Sequence, residues 1–248
     1  MSLDEAALWE RLAQSRRAPL ESDWLGGVYS PSLSAELRWA LCEKLGMLAE
    51  RGWPEIEQLL QSHGAQKELV MAAGLCHQTQ ARDWLLTMLD DASDDDDDNL
   101  VVVQALGCWG SEIPGSVISR CLNHPGQQQR LAGLQLLSFR AHRLSDSELL
   151  TFCDGAIRDF RDPVVVAAIR VLQRRDGESI SARLAEICQY GSITGADAAF
   201  RALGCIATPA SRHHLMELSQ TLEEDERREL ASRELKQQFR QYTRAQHR

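Results

Sequence analysis

Asp162-Pro163-Val164-Val165-Val166-Ala167-Ala168-Ile169-Arg170-Val171-Leu172 is the stretch that decides the fold. An acceptor side chain followed by proline is a helix start, because proline's missing N–H costs nothing at the first helical position. The apolar residues Val164, Val165, Ala168, Ile169 and Leu172 then recur at helical spacing. The polar turn Arg174-Arg175-Asp176-Gly177 breaks the pattern, and a second helix-spaced set follows at Ile180, Leu184, Ile187 and Cys188. One helix–turn–helix unit is written here.

Working outward, the unit recurs. The slot near the end of each first helix holds Cys42, Cys76, Cys108, Arg140, Gln173 and Cys205, at successive spacings of 34, 32, 32, 33 and 32 residues. Ala105-Leu106-Gly107-Cys108 and Ala202-Leu203-Gly204-Cys205 are identical and three periods apart. A fixed period of this length means stacked helical pairs, each burying its apolar face against its neighbours. Six pairs are expected, with second helices near 54–62, 80–92, 114–123, 146–160, 178–190 and 209–222. Thr208-Pro209 and the capping box Ser145-x-x-Glu148 mark further starts, and Gly64, Gly126 and Gly191 mark ends. Gly74, Gly107, Gly133 and Gly204 fall inside helices, where glycine costs about 1 kcal/mol relative to alanine; close approach of a neighbouring helix would explain them.

The flanks read differently. Residues 1–32 begin with Ser2-x-x-Glu5 as a capping box and continue, from 18 to 32, as an irregular segment around Pro19, Gly26-Gly27 and Pro31. They are expected to cover the open end of an array spanning 33–222, as end units require. Residues 223–248 read as an amphipathic capping helix carrying Leu230, Leu235, Phe239 and Tyr242. Between the second and third pairs stands Asp94 to Asp98, a run of like charge expected to form a solvated loop.

The chain has 248 residues and a net charge of −9. Residues 1–99 carry 8 Lys/Arg and 19 Asp/Glu (net −11), and the remainder 19 and 17 (net +2). An acidic half repels phosphates, so nucleic acid is not an expected partner. No apolar run is long enough for a membrane span and no signal-peptide pattern opens the chain, so a cytoplasmic protein is expected. The seven cysteines recur in register, exchanging with Leu89 in one slot, and include no C-x-x-C pair. They read as small buried hydrophobes in the reduced state.

Paired helices of about 32 residues, with Asp162-Pro163-Val164-Val165 opening one of them, resemble HEAT repeats, and among bacterial versions the phycobilisome-lyase type. The resemblance covers roughly residues 33–222. It departs at Val166, where those units usually carry arginine, and in the absence of Asp-Pro from the other repeats. It implies an all-α, right-handed α-α superhelix whose second helices line a concave surface. Arrays of this kind include binding scaffolds, DNA glycosylases and a metal-dependent hydroxylase. The hydroxylase type uses adjacent His-Glu pairs, and this sequence has none.

On that reading the partner-facing residues are Arg120, Asp154, Arg158, Arg183, Tyr190, Arg212, His213 and Glu217. His213 and Glu217 stand four apart on one helix, a spacing open to a metal, but no further ligand joins them, and no metal site is expected. Cys76 and His77 point about 100° apart, which rules out a nucleophile–base pair. The expected function is a scaffold or chaperone-like module, without cofactor, gripping a partner protein that carries a basic patch. The alternative implied by the resemblance is a bilin lyase or isomerase subunit, working with a second HEAT-like subunit. Arg158 and Arg183 would then meet the propionates of a tetrapyrrole, Asp154 its pyrrole N–H groups and Tyr190 its face.

Overall fold

The computed structural model describes residues 4–91 and 98–246. Among these, helices are the regular structure and no strand occurs, so the fold is an all-α solenoid of stacked pairs. The flanking helices are α1 (Glu5–Ala13) and α2 (Ser22–Val28). The pairs are α3 (Ala35–Met47) with α4 (Trp53–His63), α5 (Lys67–Leu75) with α6 (Thr79–Asp91), and α7 (Asp98–Leu106) with α8 (Gly115–Asn123). Three more follow: α9 (Gln127–Arg140) with α10 (Asp146–Ile157), α11 (Asp162–Leu172) with α12 (Glu178–Tyr190), and α13 (Ile193–Ile206) with α14 (Pro209–Thr221). The chain ends in α15 (Asp225–Gln246). The aspartate run lies at 94–97 outside the described residues, except that Asp98 opens α7.

Two compact units result, Met1–Ile113 and Pro114–Arg248, so the boundary falls within the third pair. In the first unit α3, α5 and α7 lie side by side, and α2 packs on α3 and α4. Leu37, Leu41, Cys42 and Leu45 of α3 and Leu69, Ala72, Ala73 and Cys76 of the next repeat are buried at the three-and-four spacing of a helix face. Glycine sets the distance between these helices. A Cβ on Gly46 would come within 2.8 Å of the Ala72 carbonyl oxygen, and one on Gly74 within 2.8 Å of the Ala105 Cα. In the second unit Gly133 plays the same part against Cys121. There α9, α11, α13 and α15 form one layer and α8, α10, α12 and α14 the other.

Polar ties repeat with the period of the array. In the first unit the buried Glu68 carboxylate accepts from the Tyr29 hydroxyl (3.0 Å) and Arg38 Nε (2.6 Å), while Arg38 Nη1 donates to the carbonyls of Pro31 and Leu33. In the second, Arg175 donates to the carbonyls of Ala141 and Leu144 and to Asp146. Arg227 of α15 reaches the carbonyls of Cys188, Gln189 and Gly191. Helix ends leave carbonyls without intrahelical donors, and guanidinium supplies several donors at once.

Several expectations need correction. Asp4 caps α1, accepting from the amides of Ala6 and Ala7, and Glu5 is turned to the amide and hydroxyl of Ser34; the Ser2 half of the expected capping box lies outside the described residues. The segment 18–32 is not wholly irregular: α2 runs through Gly26-Gly27, because a bare Gly26 lets the helix close on Glu55. Asp162 lies inside the first turn of α11 and accepts from the Ser192 hydroxyl (2.8 Å) rather than capping its own helix. Among the described side chains of α15 the buried positions are Ala231, Glu234 and Gln238, while Phe239 is exposed; Tyr242 lies outside them. Small and polar side chains face α13 there, since Gly204 admits Glu234 and Gln238 donates to the Leu203 carbonyl.

The thiols are not uniformly buried either. Cys42, Cys76, Cys121, Cys153 and Cys188 are, but Cys108 is half-buried and Cys205 exposed. Cys108 follows the end of α7 in a 3-10 turn, and α15 approaches α13 at Leu203 and Gly204, one residue short of Cys205. Burial pushes the Cys121 thiol up to about 11 and that of Cys153 to about 12. Because thiolate is the reactive form, maleimide should label Cys205 within seconds in the native protein and leave the five buried thiols until unfolding. Gly74→Ala should destabilise the first unit by about 1–3 kcal/mol, the usual cost of overpacking, read as a lower denaturation midpoint. The Ser145–Glu148 capping box and the Thr208 cap, by contrast, stand as expected.

Candidate functional site

The second-helix layer of the Pro114–Arg248 unit holds the richest surface chemistry. At the C-terminal ends of α10 and α12 lies a cleft of about 560 Å³. Ile157, Val165 and Ile187 give it an apolar floor, and Phe160 and Tyr190 stand over it. Phe160 is 90% and Tyr190 78% exposed. Large aromatic surface left in water is the costly arrangement, and it marks places where something else is to be covered.

The polar rim is knitted together. Asp154 accepts from Arg158 one turn along α10 (2.5 Å) and from Arg183 on α12 (3.2 Å), and Arg183 also pairs with Glu186. Two guanidinium groups and two carboxylates therefore neutralise one another. The sequence reading placed Asp154, Arg158, Arg183 and Tyr190 together, and they do converge on this cleft and its rim.

The remaining candidates lie elsewhere. Arg120 is half-buried on α8. Arg212 and His213 line a separate groove of about 280 Å³ between α14 and α15, with Pro209, Met216, Leu235 and Phe239. Glu217 faces the neighbouring imidazole of His214, whose Nδ1 is 4.0 Å from Glu217 Oε2, rather than His213. No group of three or more His, Cys, Asp or Glu side chains placed to hold a metal occurs among the described residues. No described helix is long and apolar enough to cross a membrane.

The residue that sequence reasoning missed is Phe160, with the apparatus behind it. It sits in the short turn between α10 and α11, where its neighbour Asp159 has a side chain only 1% exposed. Asp159 accepts from Arg161 Nε (2.8 Å), Nη2 (2.9 Å) and backbone amide (2.9 Å), and from Arg130 Nη1 (2.8 Å). Arg161 Nη1 in turn donates to the Pro125 carbonyl (2.6 Å), and Arg130 Nε to that of His124 (2.7 Å). The Arg161 guanidinium carbon lies 4.7 Å from the Phe160 ring centroid, within cation–π range. The ring is thus held outward by a turn bolted to the preceding repeat. An apolar residue alone among Arg158, Asp159, Arg161 and Asp162 was the available signal, and in the sequence it reads as an ordinary polar turn.

No protein-family model matches the chain, and none of the curated proteins does. Among solved structures, human deoxyhypusine hydroxylase in complex with glycerol is similar at 16% identity, over 96% of this chain and 92% of that one, with a TM-score of 0.42.

The hydrogen bonds from Arg161 hold the Asp159 carboxyl below its ordinary range. A depressed carboxylate pKa adds stability above the unfolded value of about 3.9, and that stability is lost as pH falls through the folded value. Asp159→Asn should therefore lower stability at neutral pH by about 2–3 kcal/mol. That is less than for a fully buried pair, because both arginines keep some contact with water. The difference from the parent should shrink below pH ~4, which a set of urea titrations across pH would show.

Proposed function

We propose that this chain is a protein-binding module whose contact surface is the second-helix layer of its Pro114–Arg248 unit. The observation that carries the reading is the cleft at α10 and α12, with an apolar floor and two exposed aromatic rings, one of them rigidly presented. Exposed, pre-positioned aromatics over a concave apolar surface are what binding hot spots are made of, since little entropy is lost on docking. The rim charges are mutually paired, so the favoured occupant is an apolar side chain of a polypeptide. The net −11 of residues 1–99 further suggests a partner with a basic patch.

Bilin handling, alone or with a second HEAT-like subunit, is the second reading, because Arg158, Arg183, Asp154 and Tyr190 do meet at one cleft. It is the weaker one. Both arginines are already engaged by carboxylates, which leaves little positive charge for two propionates. Co-expression with bilin synthesis and a phycobiliprotein should yield no visible absorbance on either protein; a covalently coloured partner would reverse the order of the two readings.

The direct test is a random peptide library on phage, panned against the intact chain. Enriched peptides should carry aromatic or aliphatic residues and lose about tenfold to a hundredfold in affinity when tested against Phe160→Ala or Tyr190→Ala, typical of hot-spot truncation. Circular dichroism should show both variants folded, as neither ring belongs to the core. Peptides that bind parent and variants alike would place the contact surface elsewhere.

A further inference from the structure

In a chain with 36 Asp/Glu against 27 Lys/Arg, the stretch from Ile113 to Ser145 holds no acidic residue, and neither does that from Pro163 to Arg175. The fold lays these two stretches together. Helix α9 belongs wholly to the first, α11 beyond its opening Asp162 to the second, and the two helices pack side by side. Along their seam runs a groove of about 280 Å³. Leu131 and Leu134 line it from α9, Ala167 and Val171 from α11, and Arg170 and Arg174 stand on the α11 side. From Leu131 to Ser138 the groove follows α9 for two turns, about 10.5 Å.

Charge distinguishes this groove from the cleft at α10 and α12. There each guanidinium is met by a carboxylate; here no acidic side chain lines the walls. Among the described residues the Arg170 side chain makes neither a hydrogen bond nor an ion pair, and Arg174 donates only from Nη1 to the Ser138 carbonyl (3.3 Å). Guanidinium groups with donors to spare pair carboxylates strongly, often through two bonds at once. The apolar floor beside them has to be covered by apolar side chains, which a free anion lacks. Nucleic acid would meet the repulsion of a chain whose net charge is −9. An extended peptide would leave its backbone groups without partners, since no described strand offers an edge to pair with. A helix brings its own backbone hydrogen bonds and needs only side-chain contacts.

We infer that the groove between α9 and α11 is a second docking site, on the layer of first helices, for an acidic amphipathic helix of a partner protein. Its apolar stripe lies over Leu131, Leu134, Ala167 and Val171, in the manner of an amphipathic helix seated in a hydrophobic groove. Carboxylates one turn apart on that helix pair with Arg170 and Arg174. The site is separate from the cleft beneath Phe160 and Tyr190 and does not rest on it.

The test pans a library built on a fixed helical scaffold with randomised surface positions against the intact chain carrying Phe160→Ala, which removes the aromatic ring from the other cleft. Enriched scaffolds should carry Asp or Glu one turn apart beside apolar residues at i, i+3 or i+4, and i+7. Their affinity, read by fluorescence anisotropy, should fall about tenfold or more with Arg170→Glu. It should fall comparably with Ala167→Leu, which fills the groove without changing its charge, and weaken near 1 M salt, where the Debye length is about 3 Å. Circular dichroism should show both variants folded, because Arg170 holds no partner and leucine is a good helix former. No enriched scaffold, enrichment without acidic residues, or binding unchanged by Arg170→Glu would each overturn the inference. So would binding lost to Arg170→Glu but kept by Ala167→Leu, since charge alone would then account for it. If peptides selected against the parent chain still depend on Phe160, such a failure leaves the cleft at α10 and α12 standing. If they do not, while acidic helices bind as expected, the groove at α9 and α11 survives alone.

Discussion

A guanidinium reaching back one repeat to the carbonyls that end a helix is the contact on which the second unit depends. Arg174 to Ser138, Arg175 to Ala141, and Arg227 to Cys188, Gln189 and Gly191 are of this kind, and Arg161 to Pro125 and Arg175 to Leu144 extend it to carbonyls just past a helix end. Each meets a need set by the fold. A helix ends with carbonyls that have lost their intrahelical donors and sit at the negative end of the macrodipole. Stacking pairs brings these ends into one another's neighbourhood and partly away from water. Arginine answers with a flat array of donors whose geometry is fixed, so several bonds form for one side chain ordered. The carboxylates Asp146 and Asp159 then hold the same guanidinium groups from the other side.

The proposed contact surface grows out of this framework. Asp159 and Arg161 belong to the inter-repeat tie, and the residue between them is the ring that stands in solvent. Architecture and exposure are thereby linked. The turn must be rigid because it joins two repeats, and a rigid turn is the economical place to mount an aromatic side chain. Tyr190 stands in a related position at the end of α12, next to the carbonyls that Arg227 engages.

The helical pairs were legible because periodicity survives in a single sequence. Leu69, Ala72, Ala73 and Cys76 are spaced by the helix they form, and Ala105-Leu106-Gly107-Cys108 announces its own repetition. The internal glycines could be read as contact points, and Gly74 against Ala105 is one. What could not be read were contacts made about thirty residues apart by single polar side chains. Nothing in the order Asp159-Phe160-Arg161 says that the aspartate is buried and the phenylalanine is not, which inverts the usual rule. The same limit explains Glu68, whose carboxylate is buried only because Tyr29 and Arg38 converge on it from different segments. It also explains Cys205, whose slot matches Cys42 in sequence but has a different neighbour, because α15 meets α13 one residue earlier.

The backward reach of the arginines bears on how the chain is made. Arg161, Arg175 and Arg227 each satisfy carbonyls that leave the ribosome 31 to 39 residues ahead of them. At ordinary synthesis rates of 5–20 residues per second, a finished helix then waits about 2–8 s for the side chain that closes it. For the end of α12 the wait lasts until Arg227, so that helix is completed only when the first turn of α15 has emerged, with a whole helical pair already made in between.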